Sequence, residues 1–265
     1  MKIGFLGSGK MAEAIIGGIL SSELVDAQDI IACDKSEERR ALIGEQYNLQ
    51  TTENAAEMAG ACNVIVLAVK PQDMEELLTE LRPCFKSEHL LISIAAGRKL
   101  EFLRRICGAE PRLARVMPNL ALMAGEGMSV FCLDEKADEK DREITASIFG
   151  SAGAVLEMDE SHFDAVTAVS GSGPAFVAFL LQAFVDGALQ LGLGADEARL
   201  LAEQTMIGTA VYLQESGRDI NEFINAVCSP KGTTEAGMRV LSASDVDQTL
   251  ARTLDAAASR SRELS

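Results

Sequence analysis

The 265 residues suffice for one large domain or two modest ones, each with an ample core. Forty acids against 24 bases leave a net charge of −16, which sets the surface against phosphate backbones and anionic headgroups. Nucleic acid and membrane are therefore not expected partners, whereas an anionic small molecule in a locally positive pocket is. The six cysteines show no CxxC spacing and the two histidines, His89 and His162, lie far apart, so no metal cluster is expected.

Scattered single cysteines suit a reducing compartment. The opening "MKIGFLG" reads as a strand rather than a leader, and no apolar stretch reads as long enough to span a bilayer. Cytoplasm is the expected location.

Along the chain, "KIGFLG" (2–7), "DIIACD" (29–34), "NVIVLAVK" (63–70), "HLLISIAAG" (89–97) and "RLARVMP" (112–118) read as strands. Their continuous apolar character suits a sheet covered on both faces. Helical spacing fills 10–21, 36–47, 72–81 and 98–106 between them. Repeated β-α-β units imply a doubly wound parallel sheet of Rossmann type. "GMSVFCL" (127–133) and "AVLEM" (154–158) add edge strands around a helix near 137–149. From about 159 the pattern turns all-helical, and the first long helix is apolar on more than one face. Such a helix must be buried by other helices, which points to a second copy of the same unit. The expected layout is a dinucleotide-binding domain over 1–158 and an all-α dimerisation and substrate domain over 159–265.

The loop "GSGKMA" (7–12) follows the first strand and opens the first helix, giving G-x-G-x-x-A. Gly7 permits the turn, Gly9 lets the backbone approach a pyrophosphate, and Ala12 keeps helix and strand close. The second strand ends "ACDKSEERR": Asp34 suits the ribose hydroxyls of NAD, while Lys35, Ser36, Arg39 and Arg40 could accept NADP or form a solvated helix face. The cofactor is thus NADP or NAD with the preference open. "AVKPQ" (68–72) ends another strand at the edge that faces the ligand in such sheets. Lys70 there is either a cofactor contact or a solvated strand-end lysine.

Together "GSGKMAEAI", "AVKPQ", "SIAAG" (93–97), "VMPN" (116–119), "SGSGPAF" (170–176) and "SPKGTT" (229–234) stand in the order found in pyrroline-5-carboxylate reductases. The chain resembles that family along its whole length. The resemblance implies NAD(P)H-dependent reduction of the cyclic imine 1-pyrroline-5-carboxylate to proline, by a homodimer joined through the helical domain and often assembled into larger rings. It implies cofactor contacts at Gly7, Ser8, Gly9, Lys10, Met11, Asp34, Lys35, Ser36, Asn54, Ala68, Val69, Lys70, Pro71, Ala95, Ala96, Gly97 and Asn119. Ser229, Gly232, Thr233 and Thr234 match the substrate loop, Glu215 and Ser172 match residues near that pocket, and Ser170 and Gly173 belong to the same turn. Thr234 is the expected catalytic residue, facing the ring nitrogen. On capping chemistry alone, the same loop reads as a helix start capped by Ser229 and Thr233.

Two departures from the family pattern stand out. "MPN" continues with Leu120-Ala121 in place of Thr-Pro, and Glu235 follows "GTT" where an aliphatic residue is typical. A divergent imine reductase and a non-catalytic dinucleotide-binding paralogue are therefore alternatives. A β-hydroxyacid dehydrogenase shares the architecture, but it needs a helical lysine in the second domain. The only lysine after 158 is Lys231, inside "SPKGTT".

Overall fold

The computed structural model describes residues 1–264. The chain forms two compact units, Met1–Ser172 together with the chain from Ala256 onward, and Gly173–Asp255. The boundary expected near 158 marks the end of the sheet. The compact unit runs further because Phe163 and Val166, just past the sheet, are buried with Val130 and Cys132.

In the first unit the strands are β1 (Ile3–Leu6), β2 (Ile30–Cys33), β3 (Gln50–Thr52), β4 (Val64–Leu67), β5 (Leu90–Ser93), β6 (Arg112–Met117), β7 (Gly127–Leu133) and β8 (Gly153–Glu157). They form one sheet in the order β3-β2-β1-β4-β5-β6-β7-β8. All neighbouring pairs are parallel except β6 with β7. Strand order reverses between β1 and β4, whose carboxyl ends define the switch point where such sheets bind ligands.

Helices α1 (Lys10–Ser21), α2 (Glu37–Tyr47), α3 (Ala55–Ala61), α4 (Pro71–Leu81), α5 (Leu100–Cys107) and α6 (Glu139–Gly150) cover the sheet. One face buries Ile3, Phe5, Val64 and Val66 with Ile15, Ile16 and Ile19 of α1, and the other buries Leu6, Ile65 and Leu67 with Met74 and Leu78 of α4. Adjacent residues of one strand thus enter opposite cores, which is why these strands are apolar throughout. The strands expected over 63–70 and 89–97 prove shorter. Pro71 starts α4 at its first turn, with Lys70 as N-cap.

Past β8, a single turn α7 (Phe163–Val166) runs into a π-helical stretch, Thr167–Gly171, closed by Ser172 N–H donating to Thr167 C=O at 2.8 Å. Arg115, 2% exposed, pairs with Glu160 at 2.9 Å and lies over the Phe163 ring at 4.5 Å. Glu160 also accepts from Leu100 N–H at 2.8 Å, and Arg115 Nε already lacks a partner. Removing one member of a buried pair strands the other charge. Glu160→Ala is therefore expected to cost about 3 kcal/mol of unfolding free energy in urea titration, the low end of such losses because Glu160 retains some solvent access.

The second unit holds α8 (Gly173–Gln190), α9 (Ala195–Ser216), α10 (Ile220–Val227), α11 (Thr233–Ser242) and the start of α12 (Val246–Leu264). The end of α12 belongs to the first unit, where Ser261 Oγ bonds Asp164 at 2.6 Å. No residue of α8 is buried, and Phe179 is 75% exposed. The helical stretch Glu160–Gln190 is long and apolar enough, by length and composition, to cross a membrane. This corrects the expectation that no such stretch exists, and the reason is the apolar circumference of α8.

Candidate functional site

Two sites follow from the residues, one in each unit. In the first unit, Gly7 takes φ +95°, and a Cβ there would come within 2.9 Å of the Ala68 carbonyl. Only glycine lets β1 turn this close beside β4. Gly9 is the N-cap of α1 with no side-chain cap, and a Cβ on it would meet nothing within 4 Å. The first-turn amides of α1 are thus open to a bulky anion, and the helix dipole favours one.

The cleft beside this loop is lined by Gly7, Gly9, Asp34, Lys35, Glu53, Ala68, Val69, Lys70 and Asp73, with an apolar floor including Leu6 and Leu77. It contains seven of the expected cofactor residues: Gly7, Gly9, Asp34, Lys35, Ala68, Val69 and Lys70. Lys70 is exposed there. Bare backbone, a capless helix start and a strand-end carboxylate fit a dinucleotide.

The other expected residues sit around this cleft with local tasks. Ser8 is fully buried, and its N–H and Oγ donate to Asp34 Oδ2 at 2.8 and 3.0 Å. Ser36 caps α2 by accepting from Arg39 N–H, and its own N–H donates to Asp34 Oδ1 at 3.0 Å. Burial pushes the Asp34 carboxyl up, but these donors and the Arg39 guanidinium outweigh it and hold the pKa below its ordinary value. Asn54 caps α3 through Glu57 N–H at 3.1 Å. Lys10 and Met11 open α1, and Pro71 opens α4. Neither Arg39 nor Arg40 is a solvated face. Arg39 binds Ser8 C=O and Glu13, and Arg40 donates to Asp34 C=O at 2.8 Å.

Cys33 lines the cleft, yet burial first and the Asp34 charge second push its thiol up to about 11, which removes it as a nucleophile. Further along the same strand-end edge, Ala95 is buried, Ala96 is exposed, and Gly97 (φ +73°) turns beside the Leu264 carbonyl.

Asn119 Oδ1 accepts from Ala121 and Met128 N–H, both at 3.2 Å, and Nδ2 reaches Ser170 Oγ at 3.5 Å. This bond joins the end of β6 to the π-helical stretch, 51 residues apart in sequence. The departure after Asn119 is an ordered 3-10 turn, Leu120–Ala124, pinned by buried Leu122.

In the second unit, Gly232 is the N-cap of α11 and no side chain caps that helix. The capping expected of Ser229 and Thr233 is thus absent. Ser229 C=O instead accepts from Gly232 N–H at 2.9 Å, and a Cβ at Gly232 would lie 2.3 Å from Ser229 Oγ. Thr234 is half-buried while Ser229 and Thr233 are exposed. Lys231 adopts φ +61°, and the Glu235 carboxylate accepts its N–H and pairs with Arg239 at 3.6 Å. The second departure from the family pattern therefore braces the turn that presents the α11 amides. Glu215 stands exposed in the last turn of α9, and Ser172 ends the first unit.

Sequence reading missed β3, α3, the 3-10 turn and the π-helical stretch. Only "NAAE", with asparagine three residues before glutamate, signalled one of them, as a cap for α3.

A Rossmann-type sheet with this glycine cradle and strand-end acid defines a dinucleotide-binding protein. Residues 2–97 match the family model described as NADP oxidoreductase coenzyme F420-dependent, and 160–264 match pyrroline-5-carboxylate reductase dimerisation. The chain is 38% identical to a pyrroline-5-carboxylate reductase of Arabidopsis thaliana over 264 residues, covering 100% of this chain and 95% of the relative. The solved reductase of Coxiella burnetii superposes with a TM-score of 0.95 at 30% identity, covering 100% and 98%. That of Plasmodium falciparum, with NADP bound, gives 0.89 at 28%, covering 100% and 98%. The chain belongs to the pyrroline-5-carboxylate reductase family.

Proposed function

We propose that the chain reduces 1-pyrroline-5-carboxylate to proline with NADH or NADPH. The observation that carries this is the full-length likeness to reductases of that name, at 38% identity in Arabidopsis thaliana. Two local geometries agree with it, the bare α1 cradle and the capless α11 start.

Reducing a C=N bond is fast only when its nitrogen carries or is offered a proton, because negative charge develops there. The substrate is a basic imine with its own carboxylate, so the protein needs no strong acid and no metal. The nicotinamide, when bound, supplies the hydride.

The remaining tasks fall to this chain. The Gly9–Met11 amides hold the pyrophosphate, and Asp34 takes a ribose hydroxyl. The amides of Thr233–Glu235 and the Ser229 hydroxyl hold the substrate carboxylate. The Thr234 hydroxyl hydrogen-bonds the ring nitrogen as it is reduced. Asn119 orients Ser170 at the end of β6. Ser172 and Glu215 belong to the substrate surroundings.

The exposed apolar face of α8, inside the stretch that matches the dimerisation family model, supports burial against a second copy. The larger assembly we favour is a ring of such dimers, and the cytoplasm is the compartment we assign on the free, mostly buried cysteines. Oxidation of NAD(P)H by purified protein should require pyrroline-5-carboxylate. Oxidation of NAD(P)H by 2-oxo or 3-oxo acids instead would replace this reading with a hydroxyacid dehydrogenase. Light scattering should give a multiple of a dimer, and a monomer would sink the assembly.

A further inference from the structure

The ribose end of the cofactor cleft carries more information than the cradle. An ionised carboxylate has about four acceptor positions. Three on Asp34 are filled, two by Ser8 and one by Ser36 N–H. What remains is one acceptor position on a fixed anion, a match for a hydroxyl donor and a mismatch for a phosphate, which only accepts and adds negative charge.

The arginines that could reverse this are occupied. Arg39 is tied to Ser8 C=O and to the Glu13 carboxylate, both members half-buried. Arg40 is folded under the strand end, donating to Asp34 C=O at 2.8 Å and Lys35 C=O at 3.1 Å, with Glu53 at 3.3 Å. Glu53 itself lines the cleft and adds a second acid beside Asp34. Against them stand the Ser36 hydroxyl and two exposed lysines of the cleft, Lys35 next to Asp34 in sequence and Lys70 at the end of β4.

We propose that this chain takes NADH in preference to NADPH, with Asp34 as the residue that decides and the Glu13–Arg39 pair as the latch that keeps Arg39 from serving a 2′-phosphate. This rests on the dinucleotide reading of the cleft and goes beyond it.

The test is fluorescence titration of the full-length protein with NADH and with NADPH, without imine substrate. NADPH should bind at least about tenfold more weakly in the wild type. Asp34→Ser should close or invert that gap by weakening NADH and tightening NADPH, with the fold checked by circular dichroism. Glu13→Gln, which leaves Asp34 and its donors in place, should tighten NADPH several-fold and leave NADH unchanged. Equal or tighter NADPH binding in the wild type overturns the proposal, as does an unchanged ratio in both variants. In either case binding of one dinucleotide leaves the reading of the cleft standing. Failure of both to bind removes that reading and the proposal together.

Discussion

Replacing Thr234 by alanine is expected to lower kcat about 10–100-fold, the loss of one hydrogen bond made to a reacting atom as its charge changes. The reduction should be smaller than for an oxyanion-hole donor because the imine brings its own basicity and shares the work with solvent protons. The KM for the imine should move much less, since the carboxylate is held by backbone amides that alanine retains. Thr234→Ser keeps the hydroxyl and should recover most of the rate. The helix should survive both changes. No side chain caps α11, so Thr234 is not what starts it. Steady-state kinetics of the three proteins at saturating cofactor decide the matter. Equal kcat in wild type and Thr234→Ala would remove Thr234 from the chemistry, and a change confined to KM would make it a binding residue only.

The second large effect is expected at the other end of the chain. Gly7→Ala should weaken dinucleotide binding about 10–100-fold, the equivalent of 1–3 kcal/mol of backbone strain. Two causes add. The φ of +95° is one that a residue with a Cβ rarely adopts, and the Cβ would press on the Ala68 carbonyl carbon and oxygen at 2.9 Å. Those are backbone atoms of the segment following β4, so no side-chain rotation relieves the clash. The loop must move instead, and it carries Ser8 with it, hence the donors that hold Asp34. Gly9→Ala makes the contrast, because its Cβ meets nothing within 4 Å. That variant should fold with wild-type stability and lose affinity only by obstructing the pyrophosphate. Thermal melts beside NADH titration separate the two, with Gly7→Ala lowering both readouts and Gly9→Ala only the second. Undiminished NADH affinity in Gly7→Ala would contradict the cradle.

Legibility in the sequence followed length and periodicity. The strands that are four or more apolar residues long were all readable, because a strand buried on both faces has no polar positions to confuse the pattern. β3 was not, since Gln50–Thr52 is three residues of polar edge strand with none buried. α3, at seven residues, is too short to build an apolar stripe. The 3-10 turn after Asn119 was visible only as a departure from a family pattern, and its cause is Leu122, which inserts where a Cβ on Gly127 would come within 2.5 Å. The apolar length of Glu160–Gln190 escaped because "SGSGP" (170–174) reads as a turn inside it, whereas the π-helical stretch and α8 carry the helix through.

The sequence by itself determined the doubly wound class through its repeated apolar strands, and the glycine cradle, the strand-end acid and the glycine-led start of α11 because each is a short stretch whose chemistry is local: a turn, a helix start, a bare amide. The tertiary structure decided which partners those groups use. Asp34 and Ser8 stand 26 residues apart, and they meet because β1 and β2 are paired in register at Leu6 and Cys33. That pairing spends two of the carboxylate's acceptor positions, a third going locally to Ser36 N–H, and draws Arg39 across to Glu13. No periodicity encodes such a distribution of hydrogen bonds, since it depends on which strand ends the sheet brings side by side.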